Sequence, residues 1–202
     1  LFNGVSIHRD IAAYKRALGY VPEEANLYSF LTGWEYLELN ATLRGLNRKR
    51  FEEKAESLLQ SLTLFPNRHS RISSYSKGMR QRIVLISALL HNPDVLILDE
   101  PLTGLDVTSA LVVRRAIEML AAQGKAILFS SPVLEVVEKI STKLVILRRG
   151  IVVAAGSGQE ISRTLDTSGL EGAFLQLADQ EDTELTARRV VEAVHAPAHS
   201  IA

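Results

Sequence analysis

The sequence predicts an α/β protein with a mostly parallel sheet, into which an all-helical segment is inserted. Two observations indicate this fold class. Short apolar runs at 95–98, 126–130 and 143–147 alternate with amphipathic helical patterns, as in βαβ units. Between about 30 and 75, by contrast, apolar residues recur only at helical spacing. A length of 202 residues fits one domain of moderate size, with or without a small appendage.

The first elements can be assigned in chain order. Residues 1–7 are predicted to end a strand, with a turn at Asp10, and 17–22 to form a strand that Pro22 stops. Thr32 and Glu35 fit a capping box, which predicts a helix from Thr32 to near residue 45.

Two further helices complete the predicted insert. Apolar residues between 51 and 62 recur at helical spacing, and this helix stops before Pro66. Residues 81–91 are apolar on most faces, which predicts a buried helix. We therefore expect the helical subdomain to occupy about 30–91.

Strands and helices alternate in the rest of the chain. The predicted order is strand 95–98, covered on both faces, helix 107–122, strand 126–130, helix 133–140, and a hairpin of 143–147 and 151–154 at one edge of the sheet. Beyond it the pattern weakens. We expect a linker at 156–158, helices at 170–177 and 186–194, and a frayed end at 196–202.

Composition excludes several classes of protein. Lys and Arg, 23 together, balance 23 Asp and Glu, so no overall charge attracts nucleic acid. The absence of cysteine removes disulfides and zinc–thiolate sites. The longest apolar run, 83–90, is far shorter than the roughly 20 residues that cross a bilayer. The first residues do not resemble a signal peptide, and Leu1 in place of Met leads us to expect a trimmed gene product.

Two adjacent acids follow the strand at 95–98. Ligands bind at the carboxyl ends of parallel strands, so Asp99 is well placed to hold Mg²⁺, which takes oxygen ligands. Glu100 is expected to point the opposite way and could polarise an attacking water. The simpler interpretation is that both are solvated turn residues.

A second candidate element precedes the buried helix. Ser76 offers a hydroxyl, Gly78 permits close backbone approach, and the following helix N-terminus presents N–H groups to a phosphate. Ser-Lys-Gly before a helix is also an ordinary cap and turn.

Four stretches, 19–24, 75–82, 95–101 and 103–106, resemble in this order the nucleotide-binding domain of ATP-binding-cassette (ABC) transporters. The resemblance covers about residues 1–155 and implies a partial RecA-like P-loop NTPase core, with 156–202 as a C-terminal tail. It implies a Walker B strand in which Asp99 serves Mg²⁺ and Glu100 is the catalytic carboxylate.

The resemblance also gives roles to residues outside Walker B. Asp106 resembles the D-loop aspartate that contacts the opposite subunit, and Glu23 stands at the Q-loop, where its carboxylate could serve Mg²⁺ or its water. The family's signature motif, which grips a nucleotide held by the partner, corresponds to Ser76, Lys77, Gly78 and Met79.

Departures from the family pattern carry information as well. Lys77 and Met79 replace the usual Gly and Gln, and Glu23 replaces a Gln, as in a bacterial subgroup with ABC-2 type membrane partners. Pro132 stands where the family's switch histidine is expected, and proline cannot ionise. Alternatively, Pro132 simply occupies the first turn of the next helix, where proline is tolerated.

The phosphate loop, Gly-x-x-x-x-Gly-Lys-Ser/Thr, does not occur in these residues. About four charge-assisted hydrogen bonds would be lost with it, on the order of 6–12 kcal/mol, which is comparable with the ~8 kcal/mol of a micromolar affinity. We therefore expect weak ATP binding and no activity by this chain alone. A site for ATP and Mg²⁺ is expected only when a partner or missing sequence supplies a Walker A loop.

The predicted function is that of an exporter-type ATPase subunit. It would energise a separate ABC-2 type permease by head-to-tail dimerisation with a second nucleotide-binding subunit, identical or different, at the cytoplasmic face of the plasma membrane. The alternatives are a degenerate, non-hydrolysing or truncated subunit that offers its signature motif to a partner, and a soluble ABC ATPase of translation or DNA maintenance. The balanced charge argues against the last.

Two features of the tail are weighed separately. Leu170, Phe174 and Leu177 share one helical face, which predicts docking on the core. His195 and His199 have the spacing of metal ligands on a helix, but without nearby acids we expect both to face solvent.

Overall fold

The computed structural model describes residue 2 and residues 4–167, 169–177 and 183–195. The chain divides into two compact units, Leu1–Pro132 and Val133–Ala202. The elements of the first unit are α1 (Ile11–Ala17), β1 (Leu18–Val21), α2 (Gly33–Leu43), α3 (Arg48–Ser61), 3₁₀ turns at Phe65–Asn67 and Ile72–Ser74, α4 (Lys77–Leu89), β2 (Val95–Leu98), α5 (Val107–Ala122) and β3 (Ala126–Phe129). Those of the second are α6 (Leu134–Ile140), β4 (Leu144–Arg148), β5 (Ile151–Gly156), α7 (Gly158–Thr164), α8 (Leu170–Leu177) and α9 (Thr183–His195).

The first unit contains a three-stranded parallel sheet with β2 in the centre. Val21 of β1 lies opposite Leu98 of β2, and Leu98 lies opposite Phe129 of β3. The carboxyl ends of all three strands therefore meet at one edge. This arrangement confirms the predicted α/β class with a parallel sheet.

One face of this sheet packs on the core. Val21, Leu96 and Leu98 are buried, and α4 crosses β1 so closely that a Cβ at Gly19 would lie 2.5 Å from the carbonyl oxygen of Ala88. Glycine at position 19 is therefore required by packing, because any side chain there would overlap the helix backbone.

The opposite face of the sheet is not covered by the described residues. Tyr20, Ile97 and Leu128 lie in line across the three strands, and Tyr20 and Leu128 are 51% and 66% exposed. The expectation that strand 95–98 is covered on both faces is thus wrong for the described part of the chain. A continuous apolar run does not distinguish a strand buried on two faces from one that alternates between a buried and a half-covered face.

Helices α2 and α3 form where the sequence predicts them. At the start of α2, Thr32 Oγ1 accepts from the Glu35 N–H at 3.2 Å and the Glu35 carboxylate accepts from the Thr32 N–H at 2.8 Å, so the capping box is complete. In α3 the apolar stripe is buried at Phe51, Ala55 and Leu59. Helices α2 and α3 join α4 in the main core.

Four local predictions fail. Phe2 and Val5 make an isolated bridge instead of part of a strand, and Asp10 caps α1 rather than forming a turn. Helix α4 begins at Lys77, four residues before the predicted start. At 156–158 the expected linker is the start of α7, where Ser157 and Glu160 form a capping box. Glycine and serine are common in linkers, but a serine followed three residues later by a glutamate also forms the capping box that starts a helix.

The second unit has its own small core. Strands β4 and β5 pair antiparallel across Arg149 and Gly150, which both have positive φ, and they form a two-stranded sheet of their own rather than an edge of the parallel sheet. The members of the core are Leu144, Ile161, Leu170 and Ala173.

The tail predictions are tested only in part. Helices α8 and α9 include the predicted segments 170–177 and 186–194, and Phe174 is 42% exposed while Leu170 is buried. The Leu177 side chain, His199 and 196–202 lie outside the described residues. In the described part of the chain, no helix is long and apolar enough to cross a membrane.

Candidate functional site

Polar side chains follow all three strands at the shared carboxyl edge. Glu23 comes two residues after β1, Asp99 directly after β2, and Ser130 directly after β3. The ladder continues to this edge, because the Asp99 N–H donates to the Val21 carbonyl at 2.8 Å and the Ser130 N–H donates to the Leu98 carbonyl at 2.9 Å. The backbones of Asp99 and Ser130 are therefore fixed by the sheet itself.

The Ser130 hydroxyl joins the two acids. It donates to Asp99 Oδ1 at 2.5 Å and accepts from the Glu100 N–H at 3.0 Å. Sequence analysis did not single out Ser130. The signal that could have found it is its position, since it is the polar residue that directly ends the strand parallel to the one carrying the acids.

Glu100 lies in a turn and not on the strand. Its φ is +44°, in the left-handed region that non-glycine residues rarely adopt, so strand alternation does not set the direction of its side chain. Thr103 closes the turn, with its N–H donating to the Glu100 carbonyl at 3.1 Å and its hydroxyl donating to Glu100 Oε2 at 3.0 Å. The carboxylate is thereby held at one oxygen, and the other oxygen can accept a further hydrogen bond.

Helix α4 begins within the Ser-Lys-Gly stretch, with Ser76 as its N-cap. Ser76 Oγ accepts from the Met79 N–H at 3.2 Å, and both Ser76 and Lys77 are exposed. Gly78 faces the next loop, since a Cβ there would lie 2.8 Å from the Gly104 carbonyl oxygen. The close approach that the sequence predicted at Gly78 is therefore made to the backbone of residue 104 in this chain.

A buried amide strengthens this contact. Gln81 is 6% exposed, and its Nε2 donates at 3.2 Å to the carbonyl of Pro101, the residue after Glu100. The start of α4 and the turn after Glu100 thus pack together. A cleft of about 400 Å³ opens beside them, lined by Glu23, Glu24, Ala25, Tyr75, Lys77, Arg80, Gln81 and Thr103.

Asp106 caps α5 within its own chain. Its carboxylate accepts from the Ser109 N–H at 2.9 Å and from the Ser109 hydroxyl at 2.7 Å, and it forms an ion pair with Arg82 of α4. Arg82 also donates to Thr63 Oγ1 at 3.0 Å. The Ser109 hydrogen bonds and then the Arg82 charge lower the pKa of Asp106 to about 2. Its contact with an opposite subunit stays a prediction.

The cap at Asp106 leads to a pH prediction. Because the folded-state pKa lies below the ordinary 3.8, ionised Asp106 stabilises the fold above that pH, and this contribution is lost as the pH falls through about 2. Asp106→Asn keeps a capping side chain but loses the charge. We expect it to lower the melting temperature at pH 7, with the difference from wild type shrinking below pH 4.

Thermal unfolding followed by circular dichroism across this pH range checks the prediction. The matched control is Asp10→Asn at the start of α1, where the carboxylate accepts from the Ala13 N–H at 2.8 Å in the same capping position. An Asp106→Asn difference that is the same at pH 7 and pH 3 would contradict the proposed charge effect.

Pro132 is exposed and precedes Val133, the N-cap of α6. It therefore lies just before the helix, and the expectation that it occupies the first helical turn is wrong by two positions. The residue offers neither a proton nor a backbone donor at the place where the switch histidine is expected.

The oxygen donors at the sheet edge suit Mg²⁺. Within the described ranges no group of three or more His, Cys, Asp or Glu could hold a metal ion, so a complete protein cage does not form there. Mg²⁺ is usually held by one or two carboxylates together with phosphate oxygens. Asp99 fits that pattern, because the Ser130 hydroxyl engages Oδ1 and leaves Oδ2 able to act as a ligand.

Comparisons with known proteins identify the family. The family model for the ABC transporter matches residues 1–103, about half of the chain. A solved structure described as the ATP-binding subunit of an ABC transporter superimposes with a TM-score of 0.81 at 31% identity, covering 87% of this chain and 74% of that one. The chain belongs to the ABC transporter family.

Curated relatives carry matching descriptions. The uncharacterized ABC transporter ATP-binding protein YthP of Bacillus subtilis is 36% identical over 162 residues, which cover 79% of this chain and 66% of that protein. The ABC transporter ATP-binding protein NatA of the same organism is 33% identical over 152 residues, covering 75% and 62%. The chain thus spans about two thirds or less of the length of these relatives.

Proposed function

We propose that this chain is part of the ATP-hydrolysing subunit of an exporter-type ABC transporter. One observation carries the proposal: Asp99, Glu100 and the start of α4 are gathered at the carboxyl edge of the sheet in a member of this family. Ligands of open α/β sheets bind at that edge.

Each acidic residue at the carboxyl edge has a separate proposed role. Asp99 would hold Mg²⁺ together with nucleotide phosphates, and Glu23 beside the cleft would orient the ion or its water. When bound, Mg²⁺ would supply positive charge to the phosphate oxygens. Glu100, held at Oε2 by Thr103, would accept the proton of the attacking water.

A second subunit would complete the site. The free N–H groups at the start of α4, with Ser76, Lys77, Gly78 and Met79, would bind the phosphates of a nucleotide held mainly by the partner. A Walker A loop, from sequence outside these residues or from a partner, would bind the other side of the nucleotide. ATP would then bring two subunits together head to tail.

The helical insert is the proposed contact with an ABC-2 type permease at the inner face of the plasma membrane. Large apolar side chains are exposed in this part of the chain, with Phe30 at 69% and Leu43 at 74%. The proposal rests on these two side chains, because an apolar side chain that is exposed in one subunit gains free energy when a partner protein buries it.

Asp99→Asn tests the proposal. The charge-assisted contact that it removes is worth about 1.5–3 kcal/mol, so half-saturation of ATP hydrolysis should need on the order of 10- to 150-fold more Mg²⁺. The measurement is ATPase activity against Mg²⁺ concentration, in the protein as its gene encodes it and with its permease. Asp94→Asn, an exposed aspartate just before β2, is the matched control. Equal Mg²⁺ dependence in wild type and Asp99→Asn would disprove the proposed site.

Pro132 favours a second candidate, a subunit that serves a partner's nucleotide without hydrolysing its own. Such a subunit would show little turnover as a homodimer, and Pro132→His would raise it by restoring an ionisable group near the phosphates. Equal and rapid turnover in wild type and Pro132→His would remove this alternative. Absence of turnover in wild type, together with measurable turnover in Pro132→His, would favour the non-hydrolysing subunit.

A further inference from the structure

We propose that Ser130 is a positioning residue that fixes the metal-binding carboxylate relative to the catalytic one. This inference rests on the proposed function, because it assumes that Asp99 serves Mg²⁺ and that Glu100 is the base. It adds a residue that neither the motifs nor the family resemblance assigned.

The geometry makes one hydroxyl serve both acids. Ser130 Oγ donates to Asp99 Oδ1 and, at the same atom, accepts from the Glu100 N–H at 3.0 Å. Donation and acceptance together fix the rotation of the hydroxyl. Asp99 therefore keeps one carboxylate oxygen on Ser130, and Oδ2 is the oxygen left for a cation.

Ser130 can act as an anchor because the sheet fixes its own backbone. Its N–H continues the β2–β3 ladder by donating to the Leu98 carbonyl at 2.9 Å. Glu100, in contrast, lies in a turn at φ +44°, a conformation that surrounding contacts must hold in place. The hydrogen bond from the Glu100 N–H ties this turn to the end of β3. A site held by sheet residues is more precisely positioned than one held by a loop alone.

Removal of the Ser130 hydroxyl should therefore lower the affinity for the metal ion. In Ser130→Ala, Asp99 loses the donor that orients its carboxylate, and the Glu100 N–H loses its acceptor. Groups that orient a metal ligand typically contribute about 10- to 100-fold to metal affinity. We expect Ser130→Ala to weaken divalent-metal binding by about 10-fold or more, with unchanged affinity for nucleotide in the absence of metal.

The test uses Mn²⁺ as the probe in place of Mg²⁺. Free Mn²⁺ is measured by electron paramagnetic resonance during titration of the protein as its gene encodes it, in the presence of a non-hydrolysable ATP analogue. Ser57→Ala, at an exposed serine of α3, is the matched control and should bind Mn²⁺ as wild type does. Wild-type Mn²⁺ affinity in Ser130→Ala would overturn the inference, and so would an equal loss of metal-free nucleotide binding.

Two further variants separate a positioning role from a structural one. Threonine and valine have the same shape, but Ser130→Thr keeps the hydroxyl and Ser130→Val has a methyl group in its place. The comparison of these two variants also tests the inference if the alanine variant does not fold. We expect near-normal Mn²⁺ affinity in Ser130→Thr and a loss of about 10-fold or more in Ser130→Val. Equal affinities in this pair would overturn the inference.

Asp99→Asn distinguishes failure of the inference from failure of the proposed function. If Asp99→Asn weakens Mn²⁺ binding while Ser130→Ala does not, the metal site stands and the role of Ser130 is wrong. If Asp99→Asn binds Mn²⁺ as wild type does, the proposed metal site is wrong, and the inference is overturned together with it.

Discussion

Replacement of Glu100 by glutamine should reduce ATP hydrolysis by about 10²- to 10⁴-fold and leave nucleotide and Mg²⁺ binding intact. The amide cannot accept a proton from water at neutral pH, whereas its carbonyl oxygen can still accept the Thr103 hydroxyl that holds Oε2 at 3.0 Å. The check is to measure both turnover and nucleotide affinity, in the protein as its gene encodes it and with its permease. Turnover should fall while affinity stays unchanged.

Glu56→Gln is the control for this change, because Glu56 is an exposed glutamate of α3 far along the chain from the turn. It should hydrolyse ATP as wild type does. Wild-type turnover in Glu100→Gln would show that another group takes the proton. Loss of nucleotide binding would instead indicate that Glu100 supports the site structurally.

Truncation of Leu96 to alanine should cost about 2–5 kcal/mol of unfolding free energy, because it opens a cavity in the central strand. Leu96 is fully buried on the covered face of the sheet. The matched change Leu128→Ala lies on the adjacent strand β3, where the side chain is 66% exposed, and should change stability by less than about 0.5 kcal/mol.

Denaturant unfolding can be followed in the first unit alone. Trp34 is the single tryptophan, and it packs edge-on against Phe51 at a centroid distance of 5.0 Å, so its fluorescence reports on this core. A cost for Leu128→Ala as large as that for Leu96→Ala would mean that the second face of the sheet is also covered in solution.

Local sequence patterns were sufficient for much of the fold. The capping box at Thr32 and Glu35 determines the start of α2 through groups three residues apart, and helix 107–122 has the predicted bounds. Short elements were harder to predict. Helices α1 and α7 have seven residues each, too few for a helical period to stand out from a turn or linker.

The candidate site was predictable only residue by residue. Asp99 follows a strand and Ser76 precedes a helix, and both facts are visible locally. Their partners are not. Ser130 lies 31 residues from Asp99, and Arg82 lies 24 residues from Asp106, so these contacts depend on strand order and helix packing. No periodicity in the chain encodes a pairing at that separation.

The contact between Gly78 and Gly104 has a consequence for how two nucleotides would influence each other. With no Cβ at position 78, the first turn of α4 rests directly on the backbone of the loop that Glu100 begins. In the proposed dimer, the phosphates of the nucleotide held by the partner would bind at the start of α4, on one side of this junction. The Glu100 carboxylate, which would activate the water for the chain's own nucleotide, would lie on the other side. A nucleotide bound at the start of α4 would then be coupled to the loop that Glu100 begins, both through the close backbone approach at Gly78 and through the Lys77 side chain that lies next to Gly104.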